Sequence, residues 1–159
     1  DKIDVTNINR QVHSLHSTIG REKVDVMRER ILDINPLCEV ILINEFVLEA
    51  AFDLVSSCDF VIDAIDTITN KIRLIQKCLK EEVSFISAMG AGNKVDPTKF
   101  EIADIKKTEQ DPIARIIRKK LRKLRVKGKV PVIYSKETGL LAMTGRLRIR
   151  FLSLLSYAR

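Results

Sequence analysis

Cysteine is scarce here, with three in 159 residues and no C-x-x-C pair among them. That excludes both a disulfide framework and a zinc ribbon. Cys38, Cys58 and Cys78 read instead as buried thiols of a reducing compartment, so a cytoplasmic location is expected. No apolar run approaches the roughly 18 residues that cross a bilayer. No signal peptide opens the chain, and stable membrane insertion is not expected. The six glycines form neither G-x-G-x-x-G nor a Walker A loop. Acidic residues are few in one part only. Residues 105–159 hold three against sixteen basic ones, whereas residues 1–104 hold eighteen against twelve. Such asymmetry points to a polyanion facing the basic part, nucleic acid first, with a merely solvated basic helix face as the alternative.

What is present is an alternation of short apolar runs and amphipathic stretches. Val24, Met27, Ile31 and Ile34 recur at helical spacing after Gly20-Arg21-Glu22-Lys23, and Asn35-Pro36 ends that helix. "EVILIN" (39–44) and "DFVIDA" (59–64) read as strands, "FVLEAAFDLVSS" as a helix, and "ITNKIRLIQKCLKEE" as a helix with Ile68, Ile72, Ile75 and Leu79 on one face. "VSFISAMGAGN" reads as a strand running into a glycine turn. Apolar strands alternating with helices predict an α/β fold, a Rossmann-like, doubly wound, mainly parallel sheet with helices on both faces. Beyond Gly92 the alternation fails. "FEIADI" reads as a strand of changed direction, and Asp111-Pro112 opens a helix with Ile113, Ile116, Ile117, Leu121 and Leu124 on one face. Arg115, Arg118, Lys119, Arg122 and Lys123 share the other face, and "VPVIYSKE" closes with a strand. Residues 1–138 are read as one domain, and 139–159 as an atypical tail, unfolded or frameshifted near Gly139.

In a doubly wound sheet, ligands sit beyond the carboxyl ends of the strands. Three stretches fall there: the opening loop with Arg10, "DAID" with Asp63 and Asp66, and "SAMGAGN". Taken singly each has a plain reading. Arg10 would be one structural arginine in a polar loop, Lys23 a first-turn surface lysine, and Asp66 a helix cap. Together, bases for phosphates and acids for Mg²⁺ describe a nucleoside triphosphate site. A domain of this type without a glycine loop is expected to begin after it, so a first βα unit of roughly 30 residues is expected upstream of Asp1.

"DKIDVTNINRQVH", "GREKV", "INP" and "VIDAID", in this order, resemble the adenylation domain of the ubiquitin-activating-enzyme-like superfamily. Within it, "DPTKFEIADIKKTEQDPIARIIRKKLRK" followed by "VIYSKE" resembles the tRNA threonylcarbamoyladenosine dehydratases. The resemblance implies ATP and Mg²⁺, with phosphate contacts at Arg10 and Lys23 and an ATP-site amide at Asn7. It further implies a magnesium-linked carboxylate at Asp66, and it places Asp1 on the second of two aspartates near the ribose. As catalytic residues it gives Arg10, Lys23 and Asp66. It implies an enzyme that adenylates the threonyl carboxylate of threonylcarbamoyladenosine in tRNA and closes a ring with loss of AMP. A homodimer and cysteine-desulfurase-related partners are expected with it. The basic row Arg115, Arg118, Lys119, Arg122 and Lys123 would hold the tRNA backbone. Two alternatives stand beside this reading: adenylation of a ubiquitin-like sulfur-carrier protein, and an inactive RNA-binding remnant. No cysteine follows Cys78, which disfavours the first of them.

Overall fold

A computed structural model describes residues 1–44, 52–92 and 94–138. The tail 139–159 and the first half of the expected helix 46–57 therefore lie outside the described residues. The chain divides into two compact units, Asp1–Ser57 and Cys58–Arg159.

In the first unit, helix α1 spans Lys23–Ile34, and the Asn35 amide closes it on the Ile31 carbonyl at 2.8 Å. Its one fully buried side chain is Val26; Val24, Met27 and Ile31 are half-buried and Ile34 is exposed. The opening segment is pinned to the turn before α1. Ile3 donates to the Arg21 carbonyl and accepts from the Gly20 amide, each at 2.9 Å, and its side chain is buried. "EVILIN" departs from expectation. It forms no ladder, and Ile41 and Leu42 are exposed. An apolar run becomes a strand only when a neighbouring edge takes up its N–H and C=O groups, and among the described residues none does.

The second unit holds a sheet of β1 (Phe60–Asp63), β2 (Ser84–Ala88), β3 (Phe100–Asp104) and β4 (Pro131–Ser135), in the order β1-β2-β4-β3. The pairs β1–β2 and β2–β4 are parallel, and β3 lies antiparallel on β4, the change of direction read from "FEIADI". Helix α2 (Ile68–Lys80) makes the crossover between β1 and β2, and α3 (Pro112–Lys123) links β3 to β4. Strand alternation decides which face is covered. Asp63, Phe85, Ser87, Val132 and Tyr134 are buried on the side that α2 packs against, with Ile75, Cys78 and Ile117 from the helices. On the opposite face Phe60, Ile62 and Ile102 stay exposed. No helix among the described residues is long and apolar enough to cross a membrane.

Both helices end in the same way. After α2 the Val83 amide reaches back to the Cys78 carbonyl at 3.0 Å, and after α3 the Val126 amide reaches Leu121 at 3.0 Å. This is the Schellman closure, which requires a left-handed residue between. Here those residues are Glu82 (φ 56°) and Arg125 (φ 53°), where glycine is the usual choice. Because Glu82 is exposed, Glu82→Gly should stabilise the protein by about 0.5–1 kcal/mol through relief of the left-handed strain. Thermal unfolding checks it; an unchanged or lower Tm would show that the strain is not released.

Candidate functional site

In the opening loop, "DVTN" folds into a tight turn because two side chains cap each other. The Asp4 carboxylate accepts from the Thr6 hydroxyl at 2.7 Å and the Thr6 amide at 2.8 Å, which holds its pKa below the ordinary aspartate value. Asn7 Oδ1 accepts from the Asp4 amide at 3.1 Å, and Asn7 is buried. The amide expected at a nucleotide therefore uses its oxygen to brace the loop, with Nδ2 left for another partner. Arg10 is exposed, and its Nη1 donates to the Thr6 carbonyl and to Asn9 Oδ1, each at 2.9 Å. Lys23, the first residue of α1, extends Nζ to Asp1 Oδ2 at 2.5 Å. The structure thus brings Asp1 and Lys23 into contact and sets Asn7 and Arg10 on one short loop of the same unit. Under that loop Gln11 Oε1, His13 Nε2 and Ser14 Oγ are buried without a hydrogen-bond partner. Burial first, and the Lys23 charge second, lower the His13 pKa, so its imidazole is neutral at pH 7.

In the second unit the two aspartates of "DAID" part company. Asp63 ends β1 and is 1% exposed. Its Oδ1 accepts from the Ile65 amide at 3.0 Å, and its Oδ2 accepts from Lys71 Nζ at 3.0 Å and Ser87 Oγ at 2.5 Å. Lys71, 2% exposed on α2, also donates to the Ala88 carbonyl at 2.9 Å. Asp63 is thus an internal ion-pair member rather than the metal carboxylate it was read as beside Asp66. Asp66 is exposed and makes no side-chain hydrogen bond among the described residues, and the N-cap of α2 is Thr67. The helix-cap reading of Asp66 accordingly falls away. No cluster of three His, Cys, Asp or Glu exists among the described residues. A single free carboxylate still suits Mg²⁺, which takes one or two protein carboxylates and fills its shell with water and phosphate oxygens.

Lys71 was missed in the sequence, although a signal was there. It stands in the series Lys71, Ile75, Cys78, on the helix face that is otherwise apolar, where a lysine needs a buried acid. The same burial, with the Asp63 charge second, pushes the Cys78 thiol up to about 11, so it is inert, whereas Cys58 is exposed rather than buried as expected.

Helix α3 starts as its sequence predicts, with Asp111 Oδ1 capping the Ala114 amide at 2.8 Å and Pro112 in the first turn. Its buried arc is Ala114, Ile117 and Leu121, while Ile116 and Leu124, expected there, are exposed. At 100° per residue Arg118 is the basic residue nearest that arc. Its Nη1 donates to the Ile105 carbonyl at 3.1 Å and to the Thr108 carbonyl and Oγ1 at 2.8 Å. Arg118 therefore ties the helix to the loop before it. Arg115, Lys119, Arg122 and Lys123 remain exposed.

Removing one partner of a buried pair leaves a charge without compensation. Lys71→Ala should destabilise the protein by about 3–5 kcal/mol, against less for the double change Lys71→Met with Asp63→Leu. Denaturant unfolding of both variants tests this, and equal stability of Lys71→Ala and wild type would remove the pair's role.

Several known proteins are similar to this chain. The tRNA threonylcarbamoyladenosine dehydratase of Bacillus subtilis (strain 168) is 53% identical over 140 residues, 87% of this chain and 55% of that protein. The same-named protein of Haemophilus influenzae is 45% identical over 125 residues, 77% of this chain and 48% of that protein. The crystal structure of the E. coli tRNA N6-threonylcarbamoyladenosine dehydratase in complex with ATP superimposes with a TM-score of 0.78 at 37% identity, covering 87% of this chain and 61% of that one. The chain spans about half the length of the curated relatives it matches. The ThiF family matches residues 1–143, and with nine-tenths of its sequence inside that match the chain belongs to the ThiF family.

Proposed function

We propose that this protein is an ATP-dependent tRNA threonylcarbamoyladenosine dehydratase. The observation that carries the reading is the 53% identity over 140 residues to the Bacillus subtilis enzyme of that name. Two features of the structure agree with it: a free carboxylate, Asp66, just past the carboxyl end of β1, and an exposed basic row on α3. The basic row suits RNA better than a sulfur-carrier protein.

In this reading an oxygen of the threonyl carboxylate attacks the α-phosphorus of ATP, and pyrophosphate leaves. The carboxylate oxygen, a poor leaving group, becomes part of a good one. A nucleophilic atom of the same arm then attacks the activated carbonyl carbon and AMP departs, so the tRNA loses one water overall. Arg10 has only Nη1 engaged in described hydrogen bonds, which leaves the rest of its guanidinium for phosphate oxygens. Lys23 would exchange Asp1 for phosphate, and Asn7 would offer Nδ2. Asp66 would hold Mg²⁺, which supplies charge neutralisation at the phosphates when bound. A homodimer, cysteine-desulfurase-related partners and a cytoplasmic location belong to the same proposal and rest on the family resemblance.

In the full-length protein, Arg10→Ala should lower the ATP–pyrophosphate exchange rate by about 100-fold or more, as loss of a charge-stabilising donor does. Its Tm should stay close to that of wild type, because the arginine is exposed. Exchange at the wild-type rate would remove Arg10 from the phosphate site.

The basic row has its own signature. Each phosphate neutralised adds about 0.7–0.9 to the slope of log affinity against log salt. Replacing Lys119 and Arg122 by Gln should weaken tRNA binding and flatten that slope by about one to two units, with ATP affinity unchanged. An unaltered slope would make the row a solvated face.

A further inference from the structure

At the start of α3 a hydrogen-bond acceptor is buried with nothing to accept. Asp111 is 5% exposed, and its Oδ1 caps the Ala114 amide at 2.8 Å. Its Oδ2 is buried and has no hydrogen-bond partner. A buried carboxylate oxygen without a donor costs about 1–3 kcal/mol or more, and a fold retains it where a partner arrives from outside. Asp111 lines a cavity of about 300 Å³ together with Thr108, Glu109, Gln110, Arg115 and Arg118. The chain enters it through Gln110 in the left-handed region (φ 55°), which turns the backbone sharply before the cap.

The lining divides into structural and available groups. Arg118 spends Nη1 on Ile105 and Thr108, and the Thr108 hydroxyl is itself bonded to the Ile105 carbonyl at 2.9 Å. These form the wall. Asp111 Oδ2 is an open acceptor, and Arg115 is an exposed cation whose side chain makes no hydrogen bond among the described residues. A bare anion would meet the Asp111 carboxylate and be repelled, so the cavity does not suit the phosphates of ATP. It suits a neutral arm bearing N–H or O–H donors, attached to something anionic that Arg115 can hold. Its place in the fold is equally specific. A Cβ on Gly90, in the turn after β2, would lie 2.9 Å from Ile113 Cδ1, so the first turn of α3 packs against the glycine turn at the carboxyl end of the sheet. That is the end where α/β sheets do their chemistry.

We propose that this cavity receives the threonylcarbamoyl arm of the target nucleoside, swung out of its stack. An N–H of the urea or the threonyl hydroxyl would donate to Asp111 Oδ2, and Arg115 would pair with the adjoining phosphate. The proposal rests on the dehydratase reading and gives it a substrate-recognition site distinct from Arg10, Lys23 and Asp66. Enzymes that act on one base take it out of the stack and read it by its polar edge, and a lost buried hydrogen bond there discriminates strongly.

The test uses the full-length protein and two tRNAs, one carrying threonylcarbamoyladenosine and one with unmodified adenosine at that position. Asp111→Asn keeps Oδ1 on the Ala114 amide and turns the free acceptor into an NH₂ donor. Its preference for the modified tRNA should fall by about 10-fold or more, with ATP affinity and Tm within error of wild type. Arg115→Gln should weaken both tRNAs alike and leave the preference intact. Free threonylcarbamoyladenosine should compete with modified tRNA in wild type and not in Asp111→Asn, whereas adenosine should compete in neither. If Asp111→Asn loses its fold, Asp111→Ser, which retains an N-cap oxygen, is measured in its place. A wild-type preference in the Asp111 variant overturns the cavity's role while the dehydratase reading stands. A wild-type protein that releases no AMP with modified tRNA overturns the dehydratase reading and the proposal with it.

Discussion

The carboxyl end of the sheet depends on one buried ion pair. Lys71, carried in from α2, meets Asp63 at the end of β1 and also bonds the Ala88 carbonyl at the end of β2, while Ser87 completes the acceptor. Two charges taken from water are stabilised only when geometry and extra hydrogen bonds are both good, and this cluster supplies both. Its consequence is positional. With Asp63 fixed, the next three residues leave β1 in one direction, and Asp66 emerges into solvent immediately before α2. With Ala88 fixed, the turn at Gly90 is set against Ile113, which places the start of α3. A pair buried away from solvent thus sets where the free carboxylate and the glycine turn stand.

A second kind of economy runs through the loops. Polar side chains that look like ligands in the sequence are partly used to hold their own backbone. Asn7 braces Asp4, Arg10 bonds the Thr6 carbonyl, and Arg118 holds three acceptors in the loop before α3. A loop rich in Asn and Arg without glycine must satisfy its own amides and carbonyls with side chains, because buried backbone groups are rarely left unpaired. The groups left over are then the informative ones: the free part of Arg10, the carboxylate of Asp66, Oδ2 of Asp111 and the guanidinium of Arg115. On the proposed function, they are the atoms that would meet nucleotide and RNA.

Much of this was legible beforehand, for local reasons. Asn35-Pro36 and Asp111-Pro112 mark helix ends through backbone geometry that proline imposes on its neighbours, and both ends fall where they were read. The apolar runs at 60–63 and 84–88 became strands because they pair with each other across the parallel crossover, and "FEIADI" turned antiparallel at the edge. "EVILIN" was equally apolar and formed no ladder, since pairing requires a neighbour that composition does not reveal. The basic row illustrates the same limit within one helix. Helical spacing put five cations on one side, but whether Arg118 met solvent or the Thr108 carbonyl depended on how deeply α3 sank beside its loop.

The order of motifs along the chain determined the family and the α/β class, and the family resemblance named the candidate phosphate and metal groups. The tertiary structure alone decided which of the two aspartates in "DAID" is free. They stand three residues apart, Asp63 as the last residue of β1 and Asp66 just past it, yet only a lysine arriving from the next helix could neutralise one and leave the other to water. It alone, too, found the unpaired oxygen of Asp111. A carboxylate at a helix start is expected from sequence as a cap, and burial around its second oxygen is a property of packing between segments distant along the chain.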